Sequence, residues 1–192
     1  MREILKLGGI LLLICAVAAL ALAFTNELTR DQIDYQRNLA SEKARKNILP
    51  DAESFEAMDE DRLNEIVEGN NRVAEIYVGY KGDSIIGYTI KSLSPGYGGT
   101  LEVMTGIDID GKIRGVRIGN HQETPGLGAN VALPFFYNQY ENKSVDTDLE
   151  VTKTDATEDN QIQAISGATI TSDAVTSGVN IASNTFKKIM DK

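Results

Sequence analysis

From Leu7 to Phe24 the chain runs for 18 residues without a single charge. Such a run must be buried on every side or lie in lipid. As a helix it would be about 27 Å long, close to the ~30 Å hydrocarbon core of a bilayer. Thr25 and Asn26 extend it to the interface. Arg2 and Lys6 precede the run, with Glu3 between them, and Glu27 follows it. That asymmetry favours a cytoplasmic N-terminus. The expected order is a cytoplasmic end over 1–6, a membrane anchor over 7–26, a helical stalk over 27–49 and an extracytoplasmic domain over 50–192. Ala21-Leu22-Ala23 offers a small-x-small site, so a cleaved signal peptide is the competing reading. The length of the run and the unbroken helical pattern beyond it argue for the anchor. Leu12-Leu13-Ile14-Cys15 is a poor lipoprotein box, because bulky Ile14 precedes the cysteine. All three readings put the folded part outside the cytoplasm.

The remaining length suits one domain. A formal net charge of −9 excludes nucleic acid as the expected ligand, which needs clustered Lys and Arg. Cys15 is the only cysteine; it allows no internal disulfide and no iron–sulfur set, and packing is its expected role. His121 is the only histidine and lacks companions for a metal site, so none is expected. A hydrogen bond or loop packing is its expected use.

Residues 26–49 contain no Gly or Pro, and Leu28, Ile33, Gln36, Ala40, Ala44 and Ile48 trace an imperfect stripe, so the helix is expected to continue until Pro50. The acidic segment from Asp51 to Asn70 reads as loop and short helix. Strands are expected at Val73–Val78, at Ile85–Ile90 after a turn at Lys81-Gly82-Asp83, at Thr100–Ile107 and at Lys112–Ile118. Asp110-Gly111 joins the last two as a hairpin turn. A short strand is expected at Leu149–Lys153. Val175, Val179, Ala182, Phe186 and Ile189 line one face of a helix from about Ser172 to Met190. The fold class is therefore α+β, antiparallel hairpins with helices at the periphery.

Three Gly-rich stretches interrupt this scaffold: Ser94–Gly99, Gly119–Gly128 and Ser166–Ala168. None matches the dinucleotide fingerprint or the Walker phosphate loop. In the third, Gly167 and Ala168 leave room beside the Thr169 hydroxyl, while Thr171 or Ser172 is placed to cap the following helix. First-turn amides favour an anion, although Asp173 would repel a phosphate directly beside it. From these residues alone a structural cap and a phosphate site both stand.

Gln163-Ala164-Ile165-Ser166-Gly167-Ala168-Thr169-Ile170-Thr171-Ser172 resembles the Ser/Thr-Gly-Ala-Thr flavinylation motif of FMN-binding domains. With the anchor, Gly96-Tyr97-Gly98-Gly99, Gly106-Ile107-Asp108, Gly111-Lys112-Ile113 and His121–Gly128 in the same order, nearly the whole chain resembles RnfG, the flavin subunit of that letter in the Rnf electron-transport complex. It is more distantly similar to NqrC, its counterpart in the sodium-translocating NADH:quinone reductase. The resemblance implies covalent FMN, its phosphate joined by a flavin transferase to Thr169 as a phosphoryl threonine. It implies a cofactor site of Thr169, Ser166, Gly167, Ala168, Thr171, Ser172, Glu123, Thr124, Gly126, Leu127, Gly128, Tyr97 and His121, with the Glu123–Gly128 loop beside the isoalloxazine ring. Tyr97 either stacks on the flavin or fills core.

In function, the resemblance implies an electron carrier in a cell-membrane complex coupling ferredoxin and NAD chemistry to ion movement. The other membrane and redox subunits would be its partners, and it would have little activity alone. The alternatives are the quinone-reductase subunit, a stand-alone extracytoplasmic reductase and a membrane-tethered non-redox assembly module. One departure stands out: the family usually has aspartate four positions before the motif glycine, where this chain has Gln163.

Overall fold

The computed structural model describes residues 1–67 and 72–191, in two compact units, Met1–Glu42 and Lys43–Lys192. The first unit is helical throughout. It forms most of α1 (Arg2–Ile48), which contains the apolar run and is long and apolar enough to cross a membrane. Side chains from Leu7 to Phe24 are exposed, and it is lipid that accommodates such a surface.

In the second unit, β1 (Ser54–Ala57), β2 (Val73–Lys81), β3 (Ser84–Pro95), β4 (Thr100–Asp108) and β5 (Ile113–Ile118) form an antiparallel meander in chain order. The β4–β5 connection turns at Asp110-Gly111, with Gly111 at a φ of +75°. Lys112 and Asp110 donate their amides to Asp108 Oδ1 at 2.8 and 3.1 Å. Turn chemistry thus sets this hairpin locally.

α4 (Thr169–Met190) covers one face of the sheet. Val175, Val179, Ala182, Phe186 and Ile189 are all buried in the main core with Ile90, Leu101, Val103, Ile107 and Val116. Gly178 comes so close to β3 that the Ser92 hydroxyl donates to its carbonyl at 2.8 Å. Tyr88 meets Phe186 edge-on at 5.9 Å.

The other face carries a smaller cluster of Ile48, Leu49, Ala52 and Met104, with Ala44, Phe55 and Ile86 against it. Arg45 is buried beside it, stacked 3.8 Å over the Tyr77 ring and 3.8 Å from Glu75. The last turn of α1 is thereby part of the folded domain.

Four elements depart from the sequence reading. The Asp51–Asn70 segment contains strand β1 as well as helix α2 (Glu60–Ile66); residues 68–70 of that segment lie outside the described residues. β1 shows no burial alternation, because it is an edge strand defined by its partner β2. The expected Leu149–Lys153 strand is present as β6 (Glu150–Thr152), but it pairs in parallel with an unanticipated β7 (Gln161–Gln163). Between β5 and β6 the chain makes two 3-10 turns, Gly128–Ala132 and Asn138–Tyr140, around a one-turn helix α3 (Pro134–Tyr137). Finally, α4 starts at Thr169, so Thr171 and Ser172 lie within its first turn and do not cap it. Its N-cap is Ala168, which has no side-chain cap bond.

Candidate functional site

The start of α4 is the centre of the site. Gly167 takes a φ of +77°, a left-handed turn that a residue with a Cβ rarely adopts, and it brings the chain into the helix at Thr169. The first helical bond is from the Ser172 amide to the Ala168 carbonyl, 3.0 Å. The amides of Thr169, Ile170 and Thr171 precede it, and such first-turn donors have no partner within their own helix. Ala168 offers them no side-chain oxygen. Here the helix presents an uncapped positive end.

That end opens on a cavity of about 580 Å³, lined by Tyr97, by Glu123, Thr124, Leu127 and Gly128 of one loop, and by residues 167–171. The volume lies in the range of small-molecule and cofactor sites, roughly 300–1,000 Å³. Its walls combine apolar surface from Tyr97, Leu127 and Ile170 with the polar groups of Glu123, Thr124, Thr169 and Thr171. Thr169 is half-buried, its neighbour Ile170 57% exposed. The chemistry available is that of an anion held at a helix end beside an apolar slot.

Of the residues expected from the sequence, Tyr97, Glu123, Thr124, Leu127, Gly128, Gly167, Ala168, Thr169 and Thr171 line this cavity together. Tyr97 is 71% exposed, which excludes the core-filling role. Ser166, Gly126, His121 and Ser172 are not in the lining. Ser166 and Gly126 are exposed. His121 Nδ1 accepts the Glu123 amide at 3.3 Å, a bond within its own loop. Ser172 is fully buried; its hydroxyl donates to the Ala168 carbonyl at 3.0 Å and accepts the Ile165 amide at 3.1 Å. It ties the motif to the helix.

Ile170 joins the lining without having been expected there. It lies off the apolar stripe of α4, and an isoleucine on the polar side of a first turn is the signal that could have found it. Asp155 is a second unexpected neighbour. The Gln163 side chain donates to its Oδ1 at 3.1 Å, while the Gln163 backbone is gripped at both ends by the Gln139 amide group, at 2.8 and 3.3 Å. Nothing in the spacing of residues 155 and 163 signals that contact.

Residues 96–184 match the family model for the FMN-binding domain, and residues 1–48 match that for the RnfG N-terminal region. The chain is 40% identical to the G subunit of the Na(+)-translocating ferredoxin:NAD(+) oxidoreductase complex of Acetobacterium woodii, over 98% of this chain and 94% of that protein. It is 34% identical to the G subunit of the ion-translocating oxidoreductase complex of Methanosarcina acetivorans, over 94% and 93%. Among solved structures, the C subunit of the Na(+)-translocating NADH-quinone reductase of Parabacteroides distasonis superposes with a TM-score of 0.58 at 20% identity, over 79% of this chain and 84% of that one. That likeness concerns the fold.

Proposed function

The chain belongs to the RnfG family, the G subunits of ion-translocating ferredoxin:NAD(+) oxidoreductase complexes, and from that premise we propose that it carries FMN joined through its phosphate to Thr169. It is an electron-transport subunit with an FMN-binding domain, part of an oxidoreductase complex that moves ions across a membrane. The other subunits of that complex are its partners. The single pass of α1, its cytoplasmic N-terminus and the extracytoplasmic placement of the domain belong to the proposal, as does maturation by a flavin transferase.

The observation that carries the reading is the start of α4. Thr169 is its first residue, it borders the cavity, and among the described residues no side chain caps the amides beside it. A phosphate diester, with one negative charge shared over two free oxygens, suits such an end on charge and on hydrogen bonding. The ester forms between the Thr169 hydroxyl and the phosphate with net loss of water. When bound, FMN supplies reversible one- and two-electron chemistry at its ring.

The protein's part is binding, orientation and exclusion of water. The Thr169, Ile170 and Thr171 amides hold the phosphate oxygens. Gly167 and Ala168 keep the approach to the hydroxyl open, with Ser166 at the outer edge of the motif. Tyr97, Leu127 and Ile170 offer apolar surface to a ring, Thr124 and Gly128 line the cavity beside them, and Gly126 lies in the same loop outside the lining. Glu123 belongs to the lining. Ser172 and His121 act one layer back. Thr169 is a tether and takes no part in electron flow.

The test is the intact mass of the chain, expressed and exported with a flavin transferase. The expected result is a denaturation-resistant increment of about 438 Da, FMN less one water, absent from Thr169→Val. An unmodified mass, under conditions that modify a control protein, overturns the attachment.

A further inference from the structure

An acidic side chain in a loop of glycine, proline and polar residues is ordinarily solvated, yet Glu123 is only 5% exposed. Both of its carboxylate oxygens are spent on donors of the protein. Oε2 accepts from the Thr171 hydroxyl at 2.7 Å, and Oε1 accepts from the Gly98 amide at 3.1 Å. Among the described residues no ion pair involves it. Two glycines make room for it. A Cβ on Gly96 would overlap Glu123 Oε1, and one on Gly128 would come within 2.7 Å of the Thr171 hydroxyl.

One side chain thus ties together three segments distant in sequence: the turn after β3, its own loop and the first turn of α4. All three contribute walls to the cavity. Burying a carboxylate is costly unless its oxygens are hydrogen-bonded, and here the bonds that satisfy it are the ones that join the walls.

We infer that Glu123 is the positioning residue of the site. It acts through Thr171 and Gly98, fixing both loops against α4 so that the cavity is formed and the Thr169 hydroxyl is held toward it. This rests on the FMN reading above and deepens it. A displacement of about 1 Å in a reacting group costs up to 100-fold in rate, so loosening this tie acts on attachment at Thr169. The role depends on the geometry of two hydrogen bonds and not on negative charge. Glutamine can reproduce it, since its oxygen accepts from Gly98 and its amide donates to the Thr171 hydroxyl, which both gives and takes hydrogen bonds. Alanine cannot.

The experiment compares Glu123→Gln, Glu123→Ala, Thr171→Val and the Glu123→Ala/Thr171→Val double variant in the full chain. The first readout is the FMN-loaded fraction after limited co-expression with a flavin transferase. The second is hydrogen exchange at the Gly98 amide in a Thr169→Val background, which keeps flavin off. Amides of β3 and β4 serve as the folding control. The expected result is a loss of on the order of tenfold in loading rate for Glu123→Ala and Thr171→Val, with the double variant little worse than either. Gly98 protection falls in Glu123→Ala, and Glu123→Gln restores most of both. A Glu123→Gln variant as poor as Glu123→Ala overturns geometry in favour of charge. Unchanged Gly98 protection in Glu123→Ala overturns the tie itself. A native chain that takes up no flavin sinks the Thr169 reading, and the exchange readout then still decides the tie.

Discussion

The Tyr140 phenol lies 2.8 Å from the Thr176 hydroxyl in the core, and the direction of that bond is fixed. Thr176 gives its own hydrogen to the Ser172 carbonyl at 3.0 Å, so Tyr140 donates and Thr176 accepts. One turn earlier the Ser172 hydroxyl donates to the Ala168 carbonyl. A run of buried hydroxyls therefore leads from the core down to the motif.

The phenol is the end of that run, and its removal is measurable. Tyr140→Phe takes away one buried hydrogen bond and should cost about 1 kcal/mol. Burial, the largest influence, pushes the Tyr140 phenol well above its ordinary range, and the nearby Asp173 carboxylate adds to that push. The sign follows directly. Above a pH of about 10 the unfolded chain releases a proton that the folded chain keeps, so stability falls with rising pH, by up to ~1.4 kcal/mol per pH unit for this group. Below that pH its contribution is fully present. Urea unfolding between pH values of about 8 and 11.5, which bracket the ordinary tyrosine range, should show a shallower alkaline decline in Tyr140→Phe than in the native protein. Equal slopes would remove Tyr140 from the account.

Ser172 offers a second measurement. Ser172→Ala deletes both of its bonds and leaves the Ile165 amide without its acceptor. The expected cost is about 1–3 kcal/mol, read by thermal unfolding. Hydrogen exchange should rise at Ile165 before it rises in the middle of α4. A uniform rise along the helix would mean that Ser172 only packs.

On the opposite face of the sheet the test is steric. A Cβ on Gly106 would run into Ile48 Cγ2, at the point where the last turn of α1 meets β4. Gly106→Ala should lose about 1–3 kcal/mol through overpacking, and Ile48→Ala about 2–4 kcal/mol through the space it leaves. The double variant should lose clearly less than the sum, because each change relieves the other. Strict additivity in thermal unfolding would show that the two residues do not share the slot.

What is legible in the sequence, and what is hidden, follows from the range of the interactions. The anchor, the stripe on α4 and the Asp110-Gly111 hairpin are legible because period and turn chemistry are local. β7 is not, because three residues paired in parallel carry no periodic signal. The start of α4 reads three residues late, since Ala168 supplies no capping side chain to mark it. Glu123 is legible as a site residue but not as a buried tie, for its partners lie 25 and 48 positions away.

Long range also governs Gln163. The carboxylate usual at this position in the family is missing from the chain, and the fold sets another beside it: Asp155 Oδ1 accepts from the Gln163 side chain at 3.1 Å. Both residues are exposed, so an enzyme that modifies Thr169 can reach them. If such an enzyme senses negative charge here, Asp155 provides it. Asp155→Ala should then slow FMN attachment by roughly tenfold, the equivalent of one lost charge-assisted contact, and Gln163→Asp in the same chain should recover it. Folding should be unaffected, because exposed polar changes of this kind are usually within about 0.5 kcal/mol. Timed in-gel flavin fluorescence, normalised to protein, measures the rate. Attachment that is indifferent to both substitutions would mean that the modifying enzyme reads only the turn from Ser166 to Thr169.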